Sequence, residues 1–142
     1  MTREEIFELM GKNPAFFLAT VEGDQPRVRG MLLYRADEEG IVFHTAASKD
    51  LYSQVLKNPK AELCFNGGGT QIRVTGELEI VEDNNLKDEI CEHPTRKFLK
   101  PWREGGELKD FYENFVVFRL RKGTAVTWTI EKNFAPKEPI QL

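Results

Sequence analysis

The stretch Pro26-Arg27-Val28-Arg29-Gly30-Met31-Leu32-Leu33-Tyr34-Arg35 decides the reading of this chain, together with the segment after it. A turn through Asp37-Glu38-Glu39-Gly40 leads to Ile41-Val42-Phe43-His44-Thr45 and then Ala46-Ala47-Ser48-Lys49. Two apolar runs around a turn predict a β-hairpin. Cationic side chains stand at its start and its end, and a hydroxyl-rich segment lies where the second strand leaves. Two readings fit these residues alone. One is a site for an anionic ligand; the other is an ordinary amphipathic hairpin with solvated arginines.

Working outward, Ala15 to Val21 reads as a buried strand, joined to the hairpin through the turn Glu22-Gly23-Asp24. Before it, Thr2 and Glu5 have capping-box spacing, and Ile6, Phe7, Leu9 and Met10 form a helical apolar stripe over residues 2–12. After the hairpin, Ser48 is placed to cap a helix bearing Leu51, Tyr52, Val55 and Leu56, which Asn58-Pro59 ends. Ala61 to Phe65 is a strand, and Gly67-Gly68-Gly69 a turn or loop. Thr70, Ile72, Val74, Gly76, Leu78 and Ile80 then alternate with polar residues, which predicts a long strand with one buried face. Gly76 reads as a bulge or a barrel bend.

Residues 83–92 read as a helix, 93–106 as a loop, and 107–112 as a helical turn or two. Phe115–Leu120 and Ala125–Ile130 are strands around Lys122-Gly123, and the tail from Asn133 is irregular. About seven strands with short connections are antiparallel, and in so short a chain they close into a barrel or pack as a sandwich.

The composition sets limits. A length of 142 residues suits one domain with its own core, and ten Phe promise an aromatic one. The net charge of −3 gives no overall attraction to nucleic acid or to an anionic membrane. Cys64 and Cys91 form no CxxC pair, and with two His there is no zinc signature. Both thiols read as reduced and structural, which suits the cytoplasm. Residues 1–12 lack the apolar centre of a signal peptide, and no apolar run approaches the ~20 residues of a membrane-spanning helix.

Three blocks in order resemble the FMN-binding split β-barrel proteins related to pyridoxamine 5'-phosphate oxidase. They are Gly23–Arg29, Gly40–Lys49 with Asn58-Pro59 after it, and Gln71–Leu78. The resemblance implies a mainly β (α+β) fold, a six- to seven-stranded antiparallel split barrel with short flanking helices. It also implies a homodimer with two FMN sites at the subunit interface.

Carried over position by position, Arg29 matches the phosphate-binding arginine, with Arg27 beside it. The main chain at Gly30, Met31 and Leu32 would run along the flavin ring. His44 and Thr45 match an aromatic-Thr pair, and Ser48 and Lys49 the phosphate-holding Ser-plus-basic motif. Gln71 would reach the flavin from the partner subunit.

The chemistry is coherent, because a phosphomonoester needs compensating charge and guanidinium can bind it through two N–H groups. No catalytic residue or metal ligand stands out. The chain departs from the oxidase at Tyr34, where the oxidase has Lys. It also departs at Lys49-Asp50, which replaces a basic pair, and in the tail from Asn133, which lacks the pyridoxal phosphate-holding segment. It is more similar to the small members of the superfamily, nitroimidazole-resistance-like proteins and general flavin reductases among them.

Each side chain also has a plainer role. Arg73 can pair with Glu77 or another acid, Trp102 and Trp128 can pack, and Glu77, Glu79, Glu82 and Asp83 can form a solvated face. The reading of function is an FMN-dependent oxidoreductase acting on a small molecule. Its rivals are a flavin carrier or redox sensor without turnover, a relative binding deazaflavin or haem, and a β-barrel module that binds no flavin.

Overall fold

The computed structural model describes residues 1–142. Its strands are β1 (Ala15–Glu22), β2 (Gln25–Asp37), β3 (Gly40–Ala46), β4 (Lys60–Gly67), β5 (Thr70–Ile80), β6 (Phe115–Leu120), β7 (Thr124–Trp128) and β8 (Ile140–Gln141). The helices are α1 (Arg3–Lys12), α2 (Asp50–Lys57), α3 (Asn84–Glu92), α4 (Lys100–Glu104) and α5 (Phe111–Asn114), with 3₁₀ turns at Pro94–Leu99 and Ile130–Lys132.

All strand pairs are antiparallel. The sheet runs β4-β1-β2-β3-β6-β5-β7-β8, and a further β4–β5 pairing closes six strands into a barrel, with β7 and β8 as an extension. This is the mainly β split barrel that the resemblance implied.

Two strands make the split. β2 pairs with β1 through Gln25–Leu32 and with β3 from Leu33 onward, where a bulge interrupts the register between Leu33 and Arg35. Pairing between β2 and β3 stops at Leu33–Phe43, so Pro26–Leu32 and His44–Ala46 diverge. β5 divides in the same way, with β7 along Gln71–Thr75 and β6 along Leu78–Ile80. Gly76 lies within an unbroken β4–β5 register, so it is not a bulge. Its reason is packing, because a Cβ there would come within 2.9 Å of the Leu120 side chain.

The barrel interior holds Phe16, Leu18, Ile41, Phe43, Leu63, Phe65, Ile72, Val74, Phe118 and Leu120. Helix α1 closes one end with Ile6 and Met10, both fully buried, and its capping box forms between Thr2 and Glu5. Leu51 and Val55 of α2 close the other region, with Tyr52 packed beside them.

A second core lies outside the barrel. Val42, Phe115 and Val117 point away from the interior and are covered by Ile90, Cys91, Leu99 and Phe111 from the excursion between β5 and β6. The sequence read much of that excursion, residues 93–106, as loop. It contains a 3₁₀ turn and α4, held onto the sheet by apolar contacts from Leu99 and Trp102.

Other expectations are corrected at the ends of elements. Helix α2 begins at Asp50 with Lys49 at the capping position and no side-chain cap, so Ser48 does not cap it. The last long strand stops at Trp128 rather than Ile130, and the tail returns as β8 against Thr124 and Ala125. Cys64 is half-buried on the outer surface opposite Phe17, while Cys91 is buried; both thiols are free. Glu79 joins Arg119 and Arg121, and Asp83 caps α3, so that acidic run is not simply a solvated face. No helix is long and apolar enough to cross a membrane.

Candidate functional site: a cationic cleft at the barrel split

The divergence of β2 from β3 opens a cavity of about 610 Å³. Its walls include Arg27, Arg29, Gly30 and Met31 from β2, Thr45 from β3, and Lys49 at the start of α2. Alternation along β2 explains the arrangement. Arg27, Arg29 and Met31 pair with Thr20, Leu18 and Phe16 on the inward side, while Val28, Gly30 and Leu32 face outward. Gly30 carries no side chain, and a Cβ there would meet nothing within 4 Å, so its main chain is bare toward the outer surface.

Arg29 is the centre of this site. Its guanidinium donates to the Thr20 hydroxyl at 2.7 Å, to Gln54 Oε1 at 2.6 Å and to the Leu18 carbonyl at 3.3 Å. Thr20 in turn donates to Gln54 Oε1 at 2.6 Å. Thr20 and Gln54 are both buried, so they fix the direction of the guanidinium. No carboxylate forms an ion pair with it. Burial lowers its pKa, and Asp50 opposes that shift.

Five N–H donors are available on a guanidinium, so these contacts leave donors free to face the cavity. Arg27 is bound at 2.9 Å to Glu22, whose carboxyl is held below the usual range by that hydrogen bond. With Glu22 and Asp50 also lining the cavity, the cations Arg27, Arg29 and Lys49 leave one net positive charge.

Thus Arg27, Arg29, Gly30, Met31, Thr45 and Lys49 come together around one cleft. Leu32, His44, Ser48 and Gln71 do not line it. Leu32 points outward from β2. Gln71 lies on β5 in another cleft, donating to Asn66 Oδ1 at 3.2 Å.

The place of His44 comes from strand alternation, since Thr45 faces inward and its neighbour must face the second core. There the imidazole packs against Phe115, with ring centroids 5.1 Å apart, and accepts from Arg96 Nε through its Nε2 at 3.1 Å. Burial first, and the Arg96 charge second, push its pKa down to about 4. It is neutral, with the proton on Nδ1, and its side chain is no wall of this cavity.

The sequence reading missed three residues that shape these surroundings. Thr20 is a polar residue at an inward position of an apolar strand, and Gln54 interrupts the Leu51–Val55 face of α2; both were visible as pattern breaks. Arg96 was not. It is buried without a carboxylate partner, and donates to the Leu33 carbonyl at 2.6 Å and to Thr95 as well as to His44. It also lies over the Tyr34 ring at 5.7 Å. Tyr34 donates to Glu89 at 2.7 Å, and burial is the main cause that raises its pKa to about 12. The position that carries Lys in the oxidase is therefore part of the cover over the second core.

Comparison with known proteins gives this architecture a family. The family model described as Pyridoxamine 5'-phosphate oxidase matches residues 2–122. The chain belongs to this family.

Among curated relatives, a pyridoxine/pyridoxamine 5'-phosphate oxidase from Agrobacterium fabrum is 34% identical over 91 residues, 62% of this chain and 44% of that protein. The chain spans less than half the length of the curated relatives it matches. Among solved structures, a NimC/NimA family protein from Clostridium acetobutylicum is 27% identical with a TM-score of 0.77, covering 99% of this chain and 93% of that one. A pyridoxamine 5'-phosphate oxidase-related, FMN binding protein from Nostoc punctiforme shares the fold at 18% identity and a TM-score of 0.66, covering 96% of this chain and 87% of that one.

Proposed function

We propose that this family member binds FMN as a homodimer and is a flavin-dependent oxidoreductase for a small molecule. The observation that carries the reading is Arg29, half-buried at the split, held in direction by Thr20 and Gln54, and without an anionic partner. A cation partly withdrawn from water is stabilised when a ligand supplies the counter-charge. With Lys49 across the cleft, it suits a phosphomonoester. Thr45 would add a hydroxyl contact, and the bare main chain at Gly30 would let a flat ring approach. Bound FMN would supply hydride and electron transfer, and the protein's part is to hold it and to shape access to it.

The dimer rests on a separate surface. The outer face of β1 and β2 exposes Phe17 at 56%, Val28 at 70% and Leu32 at 37%. Ala15, Ala19 and Pro26 continue it across the paired strands. An apolar sheet face of this kind suits a second copy of the chain. Val28 and Gly30 belong both to this face and to the cleft wall, so a partner docked here would border the flavin site. Pyridoxamine phosphate oxidation itself is not proposed, because Tyr34 is committed to Glu89 and the tail is tied back onto β7.

Purified protein is expected to show flavin absorbance and to release a cofactor with the mass of FMN. Colourless protein that also fails to take up added FMN would overturn the reading. Oxidation of NADH or NADPH by the loaded protein separates an enzyme from a carrier. Arg29→Ala should weaken FMN binding by about ten- to a hundredfold, the range expected for a hydrogen bond to a charged group. An unchanged affinity would place the phosphate elsewhere.

A further inference from the structure

The fork between β2 and β3 is spanned by a side chain that does not line the cleft. β2 pairs with β3 as far as Leu33 opposite Phe43, and His44 is the first residue of β3 past that point. At Leu33 the main chain changes partners. Its amide still donates to the Pro14 carbonyl, just ahead of β1, at 2.8 Å, while its own carbonyl accepts from Arg96 at 2.6 Å. The same guanidinium donates through Nε to His44 Nε2 at 3.1 Å. Arg96 therefore has one donor on each of the two diverging strands.

The guanidinium is fixed in place by its surroundings. Arg96 is 3% exposed, and a charge so far out of water needs dedicated partners. Its third contact is the Thr95 hydroxyl, which accepts at 3.0 Å and lies 2.7 Å from His93 Nδ1. The Tyr34 ring lies against it at 5.7 Å. A planar guanidinium held this way keeps two acceptors at a set spacing, which a flexible ammonium does not.

We propose that Arg96 is a positioning residue for the cleft, and that by holding Leu33 and His44 at a set spacing it fixes the width of the split. Both cleft walls follow directly in the chain. Leu33 is two residues from Met31, His44 precedes Thr45, and Met31 and Thr45 line the cleft. Without the guanidinium, the Leu33 carbonyl and the His44 nitrogen lose their donor, and the strands are free to take other spacings. The excursion between β5 and β6 thus acts on a site to which it contributes no lining residue. The hold on the fork rests on this chain alone. Its effect on a ligand rests on the flavin reading, in which the ring lies between these walls.

Amide hydrogen exchange without ligand, and titration with FMN, test this on the full-length protein, with Leu99→Ala as the control. Leu99 is fully buried in the same second core and lines no part of the cleft. Exchange at the Leu33 amide is read against the Leu78 amide of β5, which donates to the Pro59 carbonyl. In Arg96→Met the ratio of Leu33 to Leu78 exchange should rise at least about tenfold. In Leu99→Ala the two amides should speed up together, because the loss there is global. FMN affinity should fall at least about tenfold in Arg96→Met and stay within about twofold in Leu99→Ala. Arg96→Lys keeps the charge and gives up the two-acceptor geometry, so both readings should move in the same direction as in Arg96→Met.

An unchanged exchange ratio in Arg96→Met would overturn the proposal. So would equal losses of FMN affinity in Arg96→Met and Leu99→Ala, since the arginine would then act through stability alone. If the wild-type protein takes up no FMN, the flavin reading is removed and the exchange ratio by itself decides the role of Arg96. Circular dichroism confirms that each variant is folded, and Arg96→Lys decides the matter if Arg96→Met is not.

Discussion

The barrel has two apolar outer faces, and they are treated differently. On the β3–β6 face, Val42, Phe115 and Val117 are at most 1% exposed, because α3, the 3₁₀ turn, α4 and α5 fold back over them. On the β1–β2 face, Phe17 and Val28 stay more than half exposed. Both faces carry residues that water disfavours, yet the chain supplies a cover for only one. The covered face is completed within the chain and is structural. The bare face borders the cationic cleft, which ties any partner docked there to the site.

Arg29 and Arg96 make the same contrast. Arg96 on the covered side spends its donors on Leu33, His44 and Thr95, whereas Arg29 keeps donors for the cleft.

Substitutions on either face test this contrast. The largest effect belongs to the covered face, where Phe115→Ala would remove a ring stacked on Phe111 at 4.8 Å. The expected loss in unfolding free energy is about 3–5 kcal/mol, read by denaturant titration. A loss near zero would mean that the helical cover contributes little.

Acid comes next. The His44 pKa is depressed to about 4 in the folded protein, so its neutral form is the one the fold favours. Its contribution is complete above about pH 6.5, the value in the unfolded chain, and is lost as pH falls toward 4. The full loss is about 3 kcal/mol. His44→Gln should flatten that part of the stability profile, and a profile that stays the same would remove His44 as its cause.

Arg96→Met should cost about 2 kcal/mol by leaving the Leu33 carbonyl without its donor. It should also raise the His44 pKa, which NMR titration would track, because a neighbouring cation is gone. The smallest effect on the fold is expected from the bare face. Phe17→Asp should change monomer unfolding by less than about 0.5 kcal/mol. The same variant should convert a dimer to monomers in analytical ultracentrifugation. If wild-type protein is itself monomeric at micromolar concentration, the exposed face has no such partner.

Much of this arrangement was legible without coordinates. The capping box, the hairpin and the alternation from Thr70 to Ile80 depend on neighbours close in sequence, and each was found where local pattern placed it. The cationic residues of the cleft were legible as well. Arg27 and Arg29 share one face of a strand, and Lys49 stands where the chain turns into a helix. The excursion over the second core was not legible. Its short turns carry weak periodicity, and their apolar residues become meaningful only against the β3–β6 face.

His44 shows the limit most directly. Its position after Phe43 was read correctly as strand, but its side chain belongs to the opposite face from Thr45. What fills that face comes from Arg96, 52 residues later. Residues near one another in the chain were enough to specify the antiparallel strands, their inward and outward positions, and the cations at the start and end of the hairpin. Long-range packing alone set where β2 leaves β3, which arginine keeps free donors and which outer face stays bare. Those outcomes depend on contacts between distant segments, and such contacts leave no period in the chain.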